Sequence, residues 1–171
     1  MASQFLLIVG LLSAQNNLNN SPRDVKGKID DLNKKGSDCI IKKSDSCLLI
    51  LNEANALAVK ENYENGIAHS LNNLGVYYRN QDNYNLAQKY FFEALDIYER
   101  KKDLYKIAYC QNNIGNLFNA LGNSKKALFY YTSALDIYFD LKEYISFSQT
   151  CNNIGGIYFK TGDNRNAMKY Y

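Results

Sequence analysis

A four-residue motif recurs three times at a constant spacing, and it constrains the fold more than any other feature. It reads Asn-Asn-Leu-Gly at 72–75 and Asn-Asn-Ile-Gly at 112–115 and 152–155, so each copy begins 40 residues after the last. A second block keeps the same step, because Ala-Leu-Asp-Ile-Tyr at 94–98 recurs at 134–138. Two independent blocks with one period indicate a chain built from tandem structural repeats.

The first half of each unit has the spacing of one amphipathic helix, which we call helix A. Apolar or small residues recur at i, i+3, i+4 and i+7, and in one unit they are Leu71, Leu74, Gly75 and Tyr78. Helix A is followed by residues that tolerate a left-handed backbone: Asp82, Gly122 and Gly162. The next residue in each unit suits the N-cap of a second helix: Asn83, Asn123 and Asp163. The spacing therefore predicts a helical hairpin in each unit.

The second helix, helix B, has its own stripe of small and aromatic residues. In two consecutive units the stripe is Ala87, Tyr90, Phe91, Ala94 and Leu95, then Ala127, Tyr130, Tyr131, Ala134 and Leu135. We expect these aromatic rings to pack in the core rather than to form a ligand site. A single hairpin would expose an apolar face, so consecutive hairpins must stack. The predicted fold class is all-α, a right-handed α-solenoid of stacked antiparallel helix pairs with a concave and a convex side.

Composition argues against several functional classes. The net charge is +3, from 20 basic and 17 acidic residues, without the basic excess that nucleic-acid binding requires. The single histidine, His69, has no carboxylate or nucleophile at a recognisable catalytic spacing. We therefore predict a chain that is not an enzyme, binds no nucleic acid and uses no cofactor.

The four cysteines are Cys39, Cys47, Cys110 and Cys151, and they form no CxxC pair. Their spacing is typical neither of a zinc site nor of a disulfide framework. We expect buried free thiols and no bound metal.

An apolar run, FLLIVGLLSA, occupies residues 5–14. It is too short to span a bilayer, has the length of a signal-peptide core and ends in a small pair, Ser13-Ala14. The run predicts a signal peptide over 1–14 and a periplasmic or secreted protein. The alternative is a short apolar helix that packs on the first repeat, with a cytoplasmic location.

The repeat motifs resemble the tetratricopeptide repeats, in particular the longer versions of kinesin light chains and bacterial sensor proteins. The family pattern of large apolar, Gly, Tyr, Ala, aromatic and Ala is met by Leu74, Gly75, Tyr78, Ala87, Phe91 and Ala94. The next unit matches with Ile114, Gly115, Phe118, Ala127, Tyr131 and Ala134, and a third begins with Ile154, Gly155 and Tyr158. The resemblance implies stacked helix pairs around a concave groove.

The organisation that follows is a linker over 15–23, a degenerate first repeat over 24–67 and repeats over 68–107, 108–147 and 148–171, the last incomplete. The first repeat is degenerate because Lys34, Lys35 and Asp38 stand where its helix A should be apolar.

The face of helix A away from the packing stripe lines the groove in tetratricopeptide folds. The resemblance implies that Asn73, Asn113 and Asn153 contact bound peptide, and amides suit this role because they both donate and accept hydrogen bonds. The other candidate groove residues are Asn72, Asn112, Asn152, Asn116, Asn119, His69, Arg79, Tyr109 and Lys160. In the alternative interpretation, the paired asparagines bond the neighbouring unit across the repeat interface.

The sequence thus predicts a non-catalytic protein–protein interaction module that binds a polypeptide in its concave groove. Because Arg79 and Lys160 are the only groove cations, a clamp for a terminal carboxylate is not expected. The alternative function is the extracytoplasmic input region of a larger bacterial signalling protein, such as a sensor histidine kinase. Self-association through the C-terminal repeat is also expected, because the last hairpin leaves an apolar face uncovered.

Overall fold

The computed structural model describes residues 22–44 and 46–171, and within them it contains eight α-helices and no β-strand. The helices are α1 (Pro22–Lys42), α2 (Cys47–Lys60), α3 (Glu64–Asn80), α4 (Tyr84–Arg100), α5 (Leu104–Ala120), α6 (Ser124–Asp140), α7 (Tyr144–Lys160) and α8 (Asn164–Tyr170). The all-α prediction is confirmed. The apolar run at 5–14 and most of the linker expected at 15–23 lie outside the described residues, and α1 already begins at Pro22.

The helices form four consecutive hairpins, which we number as units one to four. In each unit the odd-numbered helix is helix A and the even-numbered helix is helix B. Within a unit A packs on B, and each B also packs on the A of the following unit. The result is the predicted α-solenoid of stacked antiparallel helix pairs.

The turns inside the hairpins follow the local signals. Asp82, Gly122 and Gly162 have φ angles of 56°, 72° and 80° and lie in the left-handed region. The next residue then caps helix B, since Asn123 Oδ1 accepts a hydrogen bond from Lys126 N at 3.1 Å and Asp163 Oδ1 accepts one from Asn166 N at 3.1 Å. Asn83 caps α4 in the same way. The predicted turns and caps are confirmed.

Glycine lets the two helices of a hairpin approach closely. A Cβ added at Gly115 would lie 2.5 Å from Tyr131 Cδ1, and one added at Gly75 would lie 2.6 Å from Phe91 Cδ1. The rings of Phe91 and Tyr131 are fully buried. The recurring glycine therefore provides the space into which an aromatic ring of helix B packs.

A second aromatic contact joins A to B in three units. Tyr78 stacks on Tyr90 with ring centroids 5.5 Å apart. The equivalent pairs, Phe118 with Tyr130 and Tyr158 with Tyr170, have centroids 5.6 Å and 5.8 Å apart. The prediction that helix B aromatics pack in the core is confirmed for these rings, which explains why the period carries aromatic residues.

The first unit departs from the others in its helix A. α1 buries Ile29, Asn33 and Cys39 and leaves Lys34, Lys35 and Asp38 exposed. A disulfide joins Cys39 of α1 to Cys47 at the start of α2, with Cα atoms 5.3 Å apart. The expectation of four free thiols is therefore wrong for this pair, because the hairpin brings together two residues that show no motif in sequence. Cys110 and Cys151 are free.

None of the helices in the described part of the chain is long and apolar enough to cross a membrane.

Candidate peptide-binding groove

The helix contacts define the inner and outer rows of the solenoid. Each helix A touches the helix A of the next unit, from α1 to α3, α5 and α7, whereas no contact joins consecutive B helices in the described structure. Rows that touch lie on the inside of a curved stack, and rows that diverge lie outside. The A helices therefore line the concave face, where the candidate groove residues were predicted.

A ladder of side-chain amides crosses the inner row. Asn113 Nδ2 donates a hydrogen bond to Asn72 Oδ1 at 3.1 Å, and Asn153 Nδ2 donates one to Asn112 Oδ1 at 3.2 Å. In the preceding unit Asn73 Nδ2 donates to the backbone oxygen of Asn33 at 3.0 Å. The second asparagine of each motif is thus bonded to the unit before it.

The ladder decides which asparagines a ligand can reach. Asn72 is 0% exposed, Asn73 is 2% exposed and Asn113 is 7% exposed. Their accessible surface is too small for contact with a peptide, and they occupy the position described by the second of the two interpretations. Asn112 and Asn153 are partly exposed, and Asn152 is exposed.

Asn33 belongs to the ladder although the motif search did not find it. Its Nδ2 donates to the backbone oxygen of Gly66 at 3.2 Å, and its side chain is fully buried. The available signal was its position, 40 residues before Asn73.

The remaining candidates lie on the open part of the inner row. His69, Arg79, Tyr109, Asn116 and Asn119 are partly exposed. Lys160 is exposed at the end of α7. Together with Asn152 these residues form the surface that a ligand can touch, which we call the groove surface.

His69 is neutral at pH 7. Burial, and to a lesser degree the nearby ammonium of Lys106, lowers the pKa of its imidazole from 6.5 to about 4. The Lys106 Nζ also lies 5.9 Å from the centre of the Tyr109 ring. His69 therefore offers a neutral polar group beside a cation.

Arg79 is the groove residue with the least complete set of partners. Its Nη2 donates to Asn80 Oδ1 at 3.1 Å, whereas its buried Nη1 has no hydrogen-bond partner among the described residues. Burial lowers the pKa of the guanidinium, and the phenols of Tyr131 and Tyr109 oppose this effect. No described carboxylate forms an ion pair with it.

Tyr131 connects the core to the groove surface, a role that sequence reasoning missed. Its ring packs over Gly115 from helix B, and its hydroxyl donates to Asn116 Oδ1 at 2.7 Å. Only the tertiary structure shows that this core residue reaches through the inner row and orients a groove amide.

A cavity of about 520 Å³ lies between the first two units, beside the disulfide. Its wall includes Ile40, Lys43, Tyr77, Asn80 and Gln81. None of these except Asn80 touches Arg79 in the recorded hydrogen bonds. Sequence reasoning did not predict this cavity, because the α1–α2 turn that forms one side belongs to the degenerate unit.

No group of three or more His, Cys, Asp or Glu residues that could hold a metal ion occurs in the described part of the chain. The buried Cys110 thiol has a raised pKa because of desolvation, so it is a poor nucleophile.

The fold and its inner row define the class of protein, an α-solenoid of helical hairpins with a groove formed by its A helices. The tetratricopeptide repeat family matches residues 66–138 and again residues 148–171. The chain belongs to the tetratricopeptide repeat family, whose repeats indicate protein–protein interaction and are generally non-catalytic.

Solved structures share this fold, and 46 of their chains match. Among them is BtubC (BKLC) from P. vanneervenii, with a TM-score of 0.77 and 20% identity. The match covers 92% of this chain and 65% of the BtubC chain, so this chain spans about two thirds of its length. No curated protein matches the chain.

Proposed function

We propose that the chain is a non-catalytic interaction module that binds an extended polypeptide along its A helices. Tetratricopeptide repeats indicate protein–protein interaction. The groove surface supports the finer proposal, because its exposed amides can donate to and accept from the backbone of an extended chain. Each such hydrogen bond contributes about 1 kcal/mol, so binding needs several units together.

The distribution of charge carries this proposal. Helices α5 and α7 contain no Asp or Glu, and the only acid of α3 is Glu64 at its first residue. Glu64 is already paired, with Arg100 at 3.0 Å and Lys101 at 3.5 Å. The outer helices α4 and α6 carry the acids instead: Glu93, Asp96, Glu99, Asp136 and Asp140. The inner row of units two to four is thus free of unpaired carboxylates, as a surface for an acidic or neutral polypeptide requires.

The test is selection of linear peptides from a displayed random library on the immobilised chain. The double variant Asn119→Ala with Lys160→Ala removes two groove side chains outside the amide ladder, and we expect it to weaken binding of the selected peptides by about tenfold. The matched control, Gln88→Ala with Lys125→Ala, alters two exposed residues of the outer row and should leave affinity unchanged. Equal affinities for the two double variants would contradict groove binding.

The second candidate function is the extracytoplasmic input region of a larger bacterial signalling protein. The Cys39–Cys47 disulfide favours it, because disulfides persist in oxidising compartments. The gene sequence beyond the codon for Tyr171 tests this candidate. A membrane-spanning segment followed by a kinase region supports it, whereas an export signal with a stop after one further repeat contradicts it.

Self-association through the C-terminal repeat stays a prediction. Light scattering on the purified chain across a range of concentrations tests it, and a constant monomer mass would contradict it.

A further inference from the structure

Arg79 presents an unusual combination of burial and isolation. Its Nη1 is buried without a hydrogen-bond partner among the described residues, and its Nη2 is bonded only to the neutral amide of Asn80. Removing a guanidinium from water is costly unless an anion or a set of acceptors replaces the lost hydration. The chain itself supplies neither, so the free protein holds a cation whose complement is missing.

The groups that face Arg79 are phenols and an amide rather than acids. The titratable side chains that influence its charge are Tyr131 and Tyr109. The hydroxyl of Tyr131 is committed to Asn116 Oδ1, which leaves Asn116 Nδ2 without an acceptor among the described residues. The junction of units two and three therefore offers two unused donors, Arg79 Nη1 and Asn116 Nδ2.

The wider surface has the same polarity. Arg79, Lys106 and Lys160 are the charged residues of helices α3, α5 and α7 apart from the paired Glu64. The ion pairs recorded for units two and three lie between outer-row residues and Glu64. No acid of the inner row competes with an incoming anion for Arg79.

We propose that the junction of units two and three binds a carboxylate of the polypeptide in the groove, with Arg79 as the cation and Asn116 as a second donor. The proposal rests on the proposed function and names the chemistry of the partner. A guanidinium suits a carboxylate because two N–H groups can donate to its two oxygens. The carboxylate belongs either to an Asp or Glu side chain or to the C-terminus of the polypeptide.

The experiment uses peptides selected by the wild-type chain from a displayed random library and then synthesised in three forms. One form is unchanged, one has each Asp or Glu replaced by its amide, and one has an amidated C-terminus. Affinity is measured for the wild type, for Arg79→Gln and for the control Lys125→Gln, which removes the same charge from an exposed outer-row position.

We expect the wild type and Lys125→Gln to bind the unchanged peptide about tenfold or more tightly than Arg79→Gln does. One neutralised form should bind the wild type as weakly as the unchanged form binds Arg79→Gln, and on Arg79→Gln the two should be equal. Loss on replacing side chains identifies Asp or Glu as the source, and loss on amidation identifies the C-terminus.

Selected peptides whose affinity is the same for Arg79→Gln and the wild type would overturn the carboxylate site while leaving the groove proposal intact. Failure to select any peptide would overturn both. Arg79→Lys keeps the charge without the two-pronged geometry and should bind with intermediate affinity. It also provides a folded variant should Arg79→Gln lose its helical circular dichroism.

Discussion

Asn113 Nδ2 lies 3.1 Å from Asn72 Oδ1, and both side chains are buried between α3 and α5. Replacing Asn113 by Ala leaves the Asn72 oxygen buried without its donor, beside an Asn72 Nδ2 that already lacks a partner. We expect a loss of about 1–3 kcal/mol in the free energy of unfolding, measured by urea denaturation.

The matched variant for this prediction is Asn153→Ala in the next rung. Asn153 is partly exposed, and its acceptor Asn112 Oδ1 also receives a hydrogen bond from Thr150 Oγ1 at 3.3 Å. Its loss of stability should be the smaller of the two. The reverse order would show that burial does not set the strength of the ladder.

Gly115 has no room for a side chain. An added Cβ would lie 2.5 Å from the Tyr131 ring, which is fully buried and held by its hydrogen bond to Asn116. We expect Gly115→Ala to reduce the free energy of unfolding by about 1–3 kcal/mol through overpacking.

Gly27 is the control, because it lies in helix α1 with nothing within 4 Å of an added Cβ. Gly27→Ala should raise the free energy of unfolding by up to about 1 kcal/mol, since alanine is the better helix former. Thermal or urea unfolding of both variants decides the point, and destabilisation by both would argue that helix A tolerates no change.

His69 makes stability depend on pH. Its pKa is about 4 in the folded chain and 6.5 as a model value, so between these values the unfolded state binds more protons. Stability should therefore be unaffected by His69 above pH 6.5 and should fall, by at most about 3 kcal/mol, as the pH drops from 6.5 towards 4.

Since His69 is the only histidine, NMR titration of its ring protons reports the pKa without assignment. The His69→Gln variant should lack this part of the pH dependence, which separates it from the carboxylates that titrate nearby. Lys106→Gln should raise the pKa of His69, because it removes the second cause of the shift. A titration midpoint near 6.5 in the folded wild type would contradict the burial of the imidazole.

The cysteines should divide into a bonded pair and two thiols of different reactivity. Ellman's reagent should react with two thiols in the unfolded oxidised chain and with four after reduction. In the folded chain the partly exposed Cys151 should react, whereas the buried Cys110, whose pKa is raised, should not.

Replacing Cys39 and Cys47 by Ser should lower the free energy of unfolding by about 2–3 kcal/mol, the amount expected for a cross-link across eight residues. Four thiols in the unreduced chain would show that the pair is not oxidised.

The period, the two helices per unit and their turns were predictable from the sequence because each depends on neighbours along the chain. The stripe through Leu74, Gly75 and Tyr78 follows from helical geometry, and the left-handed residue with its following N-cap is a local signal. The stacking of hairpins follows from the apolar face that each would otherwise expose. The family resemblance rested on the same residues.

The direction in which each asparagine points could not be predicted in this way. Asn73 and Asn152 lie on similar faces of helix A, yet the first is buried and the second is exposed. The difference depends on how closely the preceding helix A approaches, which is set by the packing of whole units. The same holds for the Cys39–Cys47 pair, which the first hairpin brings together.

The sequence by itself determined the repeating hairpin, since helix period, caps and glycine spacing act over a few residues. Only the tertiary structure decided which polar groups are used inside the solenoid and which stay available. Asn72, Asn73 and Asn113 are bonded between units, whereas the buried nitrogen of Arg79 has no described partner. Hydrogen bonds and ion pairs across units depend on distances between residues about 40 apart, which no local pattern encodes.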